Sequence, residues 1–288
     1  MAAKSVKVLA VIQARMTSNR LPGKVLKEIQ GMPMLGWVYR RTSRAKRVSH
    51  VVVATTNDAS DDPVEQYCRA QGVACIRGSV NDVLDRFFQA ASQFSPETIV
   101  RITADCPFID PDLIDDLLAA FEDTGVDFAA NRLPPPWGRT YPIGLDAEVF
   151  SAKVLARAWQ EARQVYHREH VTPYFYELAP VDKFSSYRRF SKLWQTPPQR
   201  GFRVLLLNHE RDLGTMRWTV DTEVDYRFAC EVGRYFDGRD DFSWKEILAF
   251  VETHPEVARI NAQVQHKGYK DIDKRAAQTD VAENAQEK

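Results

Sequence analysis

Four short apolar runs, each closed by polar or turn-forming residues and followed by a stretch with helical spacing, constrain this chain more than any other feature. They are Val8-Leu9-Ala10-Val11-Ile12, Val51-Val52-Val53-Ala54, the run from Val73 to Ile76, and Thr98 to Thr103. Runs this short and continuous predict buried strands. Between them, Met34 to Lys46 carries Leu35, Val38, Tyr39, Thr42 and Ala45 at helical spacing. A second helix, capped by Ser60 or Asp61 with Pro63 in its first turn, runs through Gln71. A third carries Val83, Leu84, Phe87, Phe88 and Ala91, and a fourth spans Pro111 to Glu122. This alternation predicts an α/β fold, a mostly parallel sheet with helices on both faces. Ligands of such sheets bind beyond the carboxyl ends of the strands. The polar loops at Arg15, Asn57, Arg77 and Asp105 all follow predicted strands, so they should converge on one edge. A short strand is also expected from Val25 to Ile29.

The alternation falters after Asn131. Leu133-Pro134-Pro135-Pro136-Trp137-Gly138 reads as a rigid loop. Beyond it lie strand candidates at Leu145 to Phe150, Phe184 to Phe190 and Phe202 to Leu207, and helices at Ser151 to Arg163 and His167 to Leu178. We expect a main domain over residues 1–262 with a subdomain inserted at about 132–212, and a polar tail over 263–288. Met216 to Val220 is expected to return to the sheet, ahead of helices at Glu223 to Tyr235 and Trp244 to Glu252.

Composition narrows the function classes. The formal net charge is +0, so the whole chain has no bias toward nucleic acid. The opening Met1-Ala2-Ala3-Lys4-Ser5 lacks a signal peptide's apolar core. The run from Val6 to Ile12 is too short to span a membrane. Four cysteines without CxxC spacing read as reduced thiols, and the expected compartment is the cytoplasm.

The chemistry concentrates in three places. After the first strand, Arg15, Thr17, Ser18, Asn19, Arg20, Gly23 and Lys24 form one basic loop. It is either a polyphosphate cradle, with backbone N–H groups and cations turned to phosphate oxygens, or a solvated basic loop. Its spacings match neither a Walker loop nor GxGxxG. Two carboxylates, Asp105 in Thr103-Ala104-Asp105-Cys106-Pro107 and Asp221 in Arg217-Trp218-Thr219-Val220-Asp221-Thr222-Glu223, each follow a predicted strand. Each is a helix cap or a ligand for a hard cation, and Mg²⁺ is typically held by one or two carboxylates plus substrate phosphates. Asp225 is a reserve ligand or a surface helix residue. Asn57 and Asp58 approach the same edge from the second strand. His167 and His170 share a helical face. With Glu169 they suggest zinc only weakly, because HxxH is not HExxH.

The array Ala14-Arg15-x-x-Ser18-x-Arg20-x-x-Gly23-Lys24 after a first strand resembles the signature loop of the cytidylyltransferases that activate sugar acids, the Kdo and sialic acid types. It is most similar to the spore-coat-polysaccharide branch. The resemblance covers about Val6 to Tyr235. It implies a GT-A-like, Rossmann-related fold, and transfer of CMP from CTP to a sugar acid with loss of pyrophosphate. It implies phosphate ligation by Arg15 and Lys24, with Ser18 and Arg20 beside them, and Mg²⁺ held by Asp105 and Asp221. It also implies that Arg77 lies near the nucleotide. Tyr141, Gly144, His167, Glu169 and His170 are implied on the acceptor side, and the assembly is a homodimer paired through the inserted region. Two other readings share the sheet. One is a GT-A glycosyltransferase, whose DxD dyad is not seen at Asp105-Cys106-Pro107. The other is a nucleotide-binding homologue without catalysis.

Overall fold

The computed structural model describes residues 6–188 and 190–265. Its frame is one eight-stranded sheet in the order β5-β4-β1-β6-β8-β7-β10-β9. The strands are β1 (Val8–Gln13), β4 (His50–Thr56), β5 (Ala74–Gly78), β6 (Thr98–Thr103), β7 (Phe128–Ala130), β8 (Glu148–Ser151), β9 (Lys192–Gln195) and β10 (Arg203–Leu206). A separate two-stranded ribbon pairs β2 (Glu28–Ile29) with β3 (Met32–Pro33). The pairs β5–β4, β4–β1, β1–β6 and β7–β10 are parallel, whereas β8 runs antiparallel to both β6 and β7, and β9 to β10. The first residue of β8, Glu148, therefore lies at the edge where β1 and β6 end.

Both faces of the sheet are covered, which is why the central strands read as unbroken apolar runs. Ala10, Ile12, Val53 and Ile102 pack with α1 (Met34–Ser43), α2 (Asp62–Ala70) and α4 (Pro111–Thr124). Leu9, Val11, Val52 and Ile99 pack with α3 (Val83–Phe94), α5 (Ala152–Glu161) and α7 (Pro173–Tyr176). A third cluster centres on Trp37, Phe108 and Trp218, and it seats α8 (Glu223–Tyr235) and α9 (Trp244–Thr253).

The first four strands and helices match the sequence reading closely, and the differences elsewhere have local causes. Val25 to Ile29 is not one strand, because Gly23 in the left-handed region starts a 3-10 turn over Lys24–Leu26 and only Glu28–Ile29 extends. The expected helix from His167 to Leu178 is two short pieces, α6 (Val165–His170) and α7, broken at Val171 with φ 69. Among the described residues of 184–190 no strand forms beyond the bridge Ser185–Leu193, while β7 and β9 are strands the sequence reading did not place. Met216 to Val220 adds no strand to the sheet. It lies beside residue 143 through the bridge Ile143–Arg217. Strands β8, β9 and β10, all within residues 132–212, are hydrogen-bonded into the one sheet. The tail expected over 263–288 lies outside the described residues from 266 onward. No helix among the described residues is long and apolar enough to cross a membrane. α10 (Pro255–Ala258) closes the described fold.

Candidate active site

The carboxyl edge of β1, β6 and β7 opens onto a cavity of about 330 Å³. The basic loop enters it because its start is pinned. The buried carboxylate of Asp61 accepts from the Met16 N–H at 2.6 Å and from the Thr56 hydroxyl. Asp61 holds the N-cap position of α2 as expected, but its side chain makes no cap bond. Asp58 caps the preceding 3-10 turn, Ala59–Asp61, accepting from the Ser60 N–H at 2.8 Å. Gly23, at φ 70, then turns the loop back so that its N–H meets the Met16 carbonyl at 2.8 Å.

Lys24 is the cation at the centre. Its Nζ donates to Asp105 Oδ2 at 2.8 Å, to Asp221 Oδ1 at 2.8 Å and to the Val220 carbonyl at 2.9 Å. Arg20 reaches the same Asp221 Oδ1 at 3.0 Å, and Arg217 holds Asp221 Oδ2 at 2.8 Å. Burial opposes every charge here, yet the opposite charges outweigh it. Lys24 is held above its ordinary value by Asp105 and Asp221, and Asp221 well below the carboxylate range by Lys24, Arg20 and Arg217. Asp105 is lowered against its burial chiefly by Lys24.

Both aspartates are released for this role by neighbours that do the capping. Asp110 caps α4, accepting from the N–H groups of Asp112 and Leu113. Thr222 caps α8 in a capping box with Asp225. Asp225 is not the expected surface helix residue: it is fully buried, and it binds Arg217 Nε at 2.9 Å and Asn261 Nδ2 at 2.9 Å. Arg217 and Asn261 therefore set Asp221 from behind, a role the sequence reading did not assign. The only signal for it was the acidic-and-basic spacing from Arg217 to Asp225.

Of the residues singled out from sequence, Ala14, Arg15, Ser18, Arg20, Lys24, Asp105, Glu169, His170 and Asp221 line the cavity. Arg15 stands 4.0 Å from Glu169. Five others do not line it. Arg77 is turned onto Asp62 and Glu65, each at 2.7 Å, and onto the Thr56 carbonyl. Asn57 stays in the turn after β4, where its N–H meets the Gly78 carbonyl at 2.8 Å. Tyr141 is buried among aromatic rings, against His209 and Trp244. His167 is buried with Nε2 at 2.7 Å from Glu177 Oε1, which parts it from His170 and removes any shared metal face. Gly144 is a backbone contact point. At φ 106 it lies so close to the chain that a Cβ would stand 2.3 Å from the Thr219 nitrogen.

Gly144→Ala is accordingly expected to wedge Thr219–Asp221 away from Ile143. Overpacking at such a contact costs up to about 3 kcal/mol. A fall in the urea midpoint at unchanged slope checks this, and an unchanged midpoint refutes it.

The cavity also contains residues the sequence reading passed over. Arg101 donates to Gln13 Oε1 at 2.9 Å and pairs with Glu148, whose other oxygen accepts from Thr172 at 2.9 Å. Arg132 reaches Asp146 at 3.2 Å. Six cations (Arg15, Arg20, Lys24, Arg86, Arg101, Arg132) and four carboxylates (Asp105, Glu148, Glu169, Asp221) line one cavity. That balance favours an anionic ligand.

The fold and this edge define the class: an α/β nucleotidyltransferase. The family model for cytidylyltransferases matches residues 9–208. A cytidylyltransferase structure from Leptospira borgpetersenii superposes with a TM-score of 0.76 at 30% identity, covering 91% of this chain and 100% of that one. The spore coat polysaccharide biosynthesis protein SpsF of Bacillus subtilis is 30% identical over 87% of this chain and 96% of its own length. A 3-deoxy-manno-octulosonate cytidylyltransferase of Mesorhizobium japonicum is 34% identical over 61% of this chain and 77% of its own. The chain belongs to the cytidylyltransferase family.

Proposed function

We propose that this enzyme transfers CMP from CTP to a sugar acid of the Kdo or nonulosonate type, releasing pyrophosphate, for cell-surface polysaccharide or glycoconjugate synthesis. The observation that carries the reading is the convergence of Asp105 Oδ2, Asp221 Oδ1 and the Val220 carbonyl on one cationic nitrogen at the head of the basic loop. Three oxygens facing one cation suit a hard divalent ion, with Lys24 Nζ standing where positive charge is wanted. Asp105 and Asp221 would hold Mg²⁺, which when bound polarises the α-phosphate and lowers the acceptor hydroxyl's pKa.

The chain's own residues supply position and charge. Arg15, Ser18, Arg20 and Lys24 surround the triphosphate. The acceptor oxygen bonds to the α-phosphorus as the bond to the β-phosphate oxygen breaks, and the cations stabilise the charge that gathers on the leaving pyrophosphate. Glu169 and His170 face the acceptor. The relatives named for Kdo and for spore coat polysaccharide support a sugar-acid acceptor. A screen of sugar acids for CTP-dependent pyrophosphate release tests the reading, and no release with any of them would remove it.

A cytoplasmic location and a homodimer are parts of the same proposal. The four cysteines are free thiols. Of the aromatic residues in the inserted region, Trp137, Tyr174, Phe175, Tyr176 and Trp194 are buried within the chain. Phe184 and Phe190 remain exposed near the edge strand β9, and they are the surface offered for pairing. Light scattering across dilution checks this, since a fully active monomer at micromolar concentration excludes the dimer.

A further inference from the structure

We propose that Arg86 is the cavity's receptor for a substrate oxyanion, either a phosphate of the nucleotide or the carboxylate of the acceptor, and that the fold keeps it unpaired for that ligand. The inference rests on the cytidylyltransferase reading above and adds a residue to it. Arg86 lines the cavity from the first turn of α3 and is only 2% exposed. Its Nε is buried with no partner, and among the described residues its guanidinium forms no hydrogen bond or ion pair.

The other five cations of the cavity each have a carboxylate: Glu169 for Arg15, Asp221 for Arg20 and Lys24, Glu148 for Arg101 and Asp146 for Arg132. Nor are the acids nearest Arg86 at its disposal. Asp82 is bound by Arg168, with Nε at 2.9 Å, and Asp61 is spent on Met16 and Thr56. Burial, and Arg15 after it, push the Arg86 guanidinium down to about 10, against the pull of the charges on Asp61 and Asp82, neither of which bonds to it.

The arrangement is built, not accidental. Gly78 leaves the slot for the arginine's stem, since a Cβ there would lie 2.7 Å from Arg86 Cγ. A buried charge without a partner costs stability, and such a cost persists where function needs the charge. A planar guanidinium presents paired donors that match two oxygens of a carboxylate or phosphate.

The experiment compares wild type with Arg86→Met and Arg86→Lys in two measurements. The first is thermal unfolding of the ligand-free protein. Removing an unpaired buried charge should raise the melting temperature of Arg86→Met, by about 2–4 °C for each kcal/mol gained. A merely structural arginine would lower it. The second is calorimetric binding of CTP, cytidine and Kdo. Arg86→Met should lose at least tenfold in affinity for CTP or for Kdo while cytidine binding holds. Loss for CTP assigns a phosphate and loss for Kdo a carboxylate. Arg86→Lys, which keeps the charge without the fork, should fall between the two proteins.

A lowered melting temperature, equal losses for cytidine and CTP, or no loss for any probe overturns the proposal. If the wild-type protein itself binds no CTP, it is the cytidylyltransferase reading that fails, and the melting comparison still decides whether Arg86 is held unpaired against stability.

Discussion

Asp105→Asn and Asp221→Asn are each expected to lower turnover by on the order of 10³-fold, the scale of removing one fixed electrostatic partner from a reacting centre. The two should differ in what they do to the fold. The Asp105 side chain is about one quarter exposed, 26%, and Lys24 is its only ion-pair partner among the described residues. Its asparagine variant should keep nearly the wild-type melting temperature. Asp221 joins Arg20, Lys24 and Arg217. Neutralising it leaves the buried Lys24 and Arg217 with only Asp105 and Asp225 as ion-pair partners, so the melting temperature should fall below that of the Asp105 variant. Mg²⁺-dependent pyrophosphate release, read beside thermal unfolding, separates the two effects. Near-normal turnover in either variant would remove that residue from the metal site.

Lys24→Ala should shift two affinities in opposite directions. On the proposed reading, in which Lys24 meets the outer phosphates that CMP lacks, CTP binding should weaken by on the order of 100-fold and CMP binding much less. Metal binding without nucleotide should strengthen by on the order of tenfold, because the ammonium that competes for Asp105 and Asp221 is gone. Mn²⁺ titration followed by electron paramagnetic resonance reads the second effect without any turnover. Equal losses for CTP and CMP would mark a structural defect. Unchanged metal affinity would mean that the lysine and the ion do not share a place.

How much of this is legible in the sequence depends on whether the cause is local. The run Val8–Gln13, the helix start at Pro111 and the helix Glu223–Tyr235 follow from periodicity and neighbouring caps, and the structure has them where the residues say. The basic loop and Asp105 are legible because unusual residues follow the strands β1 and β6, whereas the strand expected before Asp221 does not form. Arg77 misleads because its partners Asp62 and Glu65 come from the helix after β4, and nothing at Arg77 announces them. Gly144 reads as a ligand-side residue, although it faces backbone 75 positions away. Asp225 has the spacing of an exposed helix position, but Asn261, 36 residues on, folds over it. Long-range burial decides these cases, and sequence spacing carries no record of it. The break at Val171 belongs to the same class: a β-branched residue at positive φ is locally unfavourable and persists only under tertiary constraint.

The clasp at Asn261 has a consequence for synthesis. Its amide binds the Arg217 carbonyl at 2.9 Å and Asp225 at 2.9 Å, and Arg217 in turn holds Asp221. The basic loop and Asp105 are made early, but the Arg217–Asp225 pair behind Asp221 is clasped by a residue made late. A nascent chain can therefore pair its strands before the support behind Asp221 is closed by residue 261. A ribosome stalled short of that point would carry the sheet without the Asn261 clasp behind Asp221.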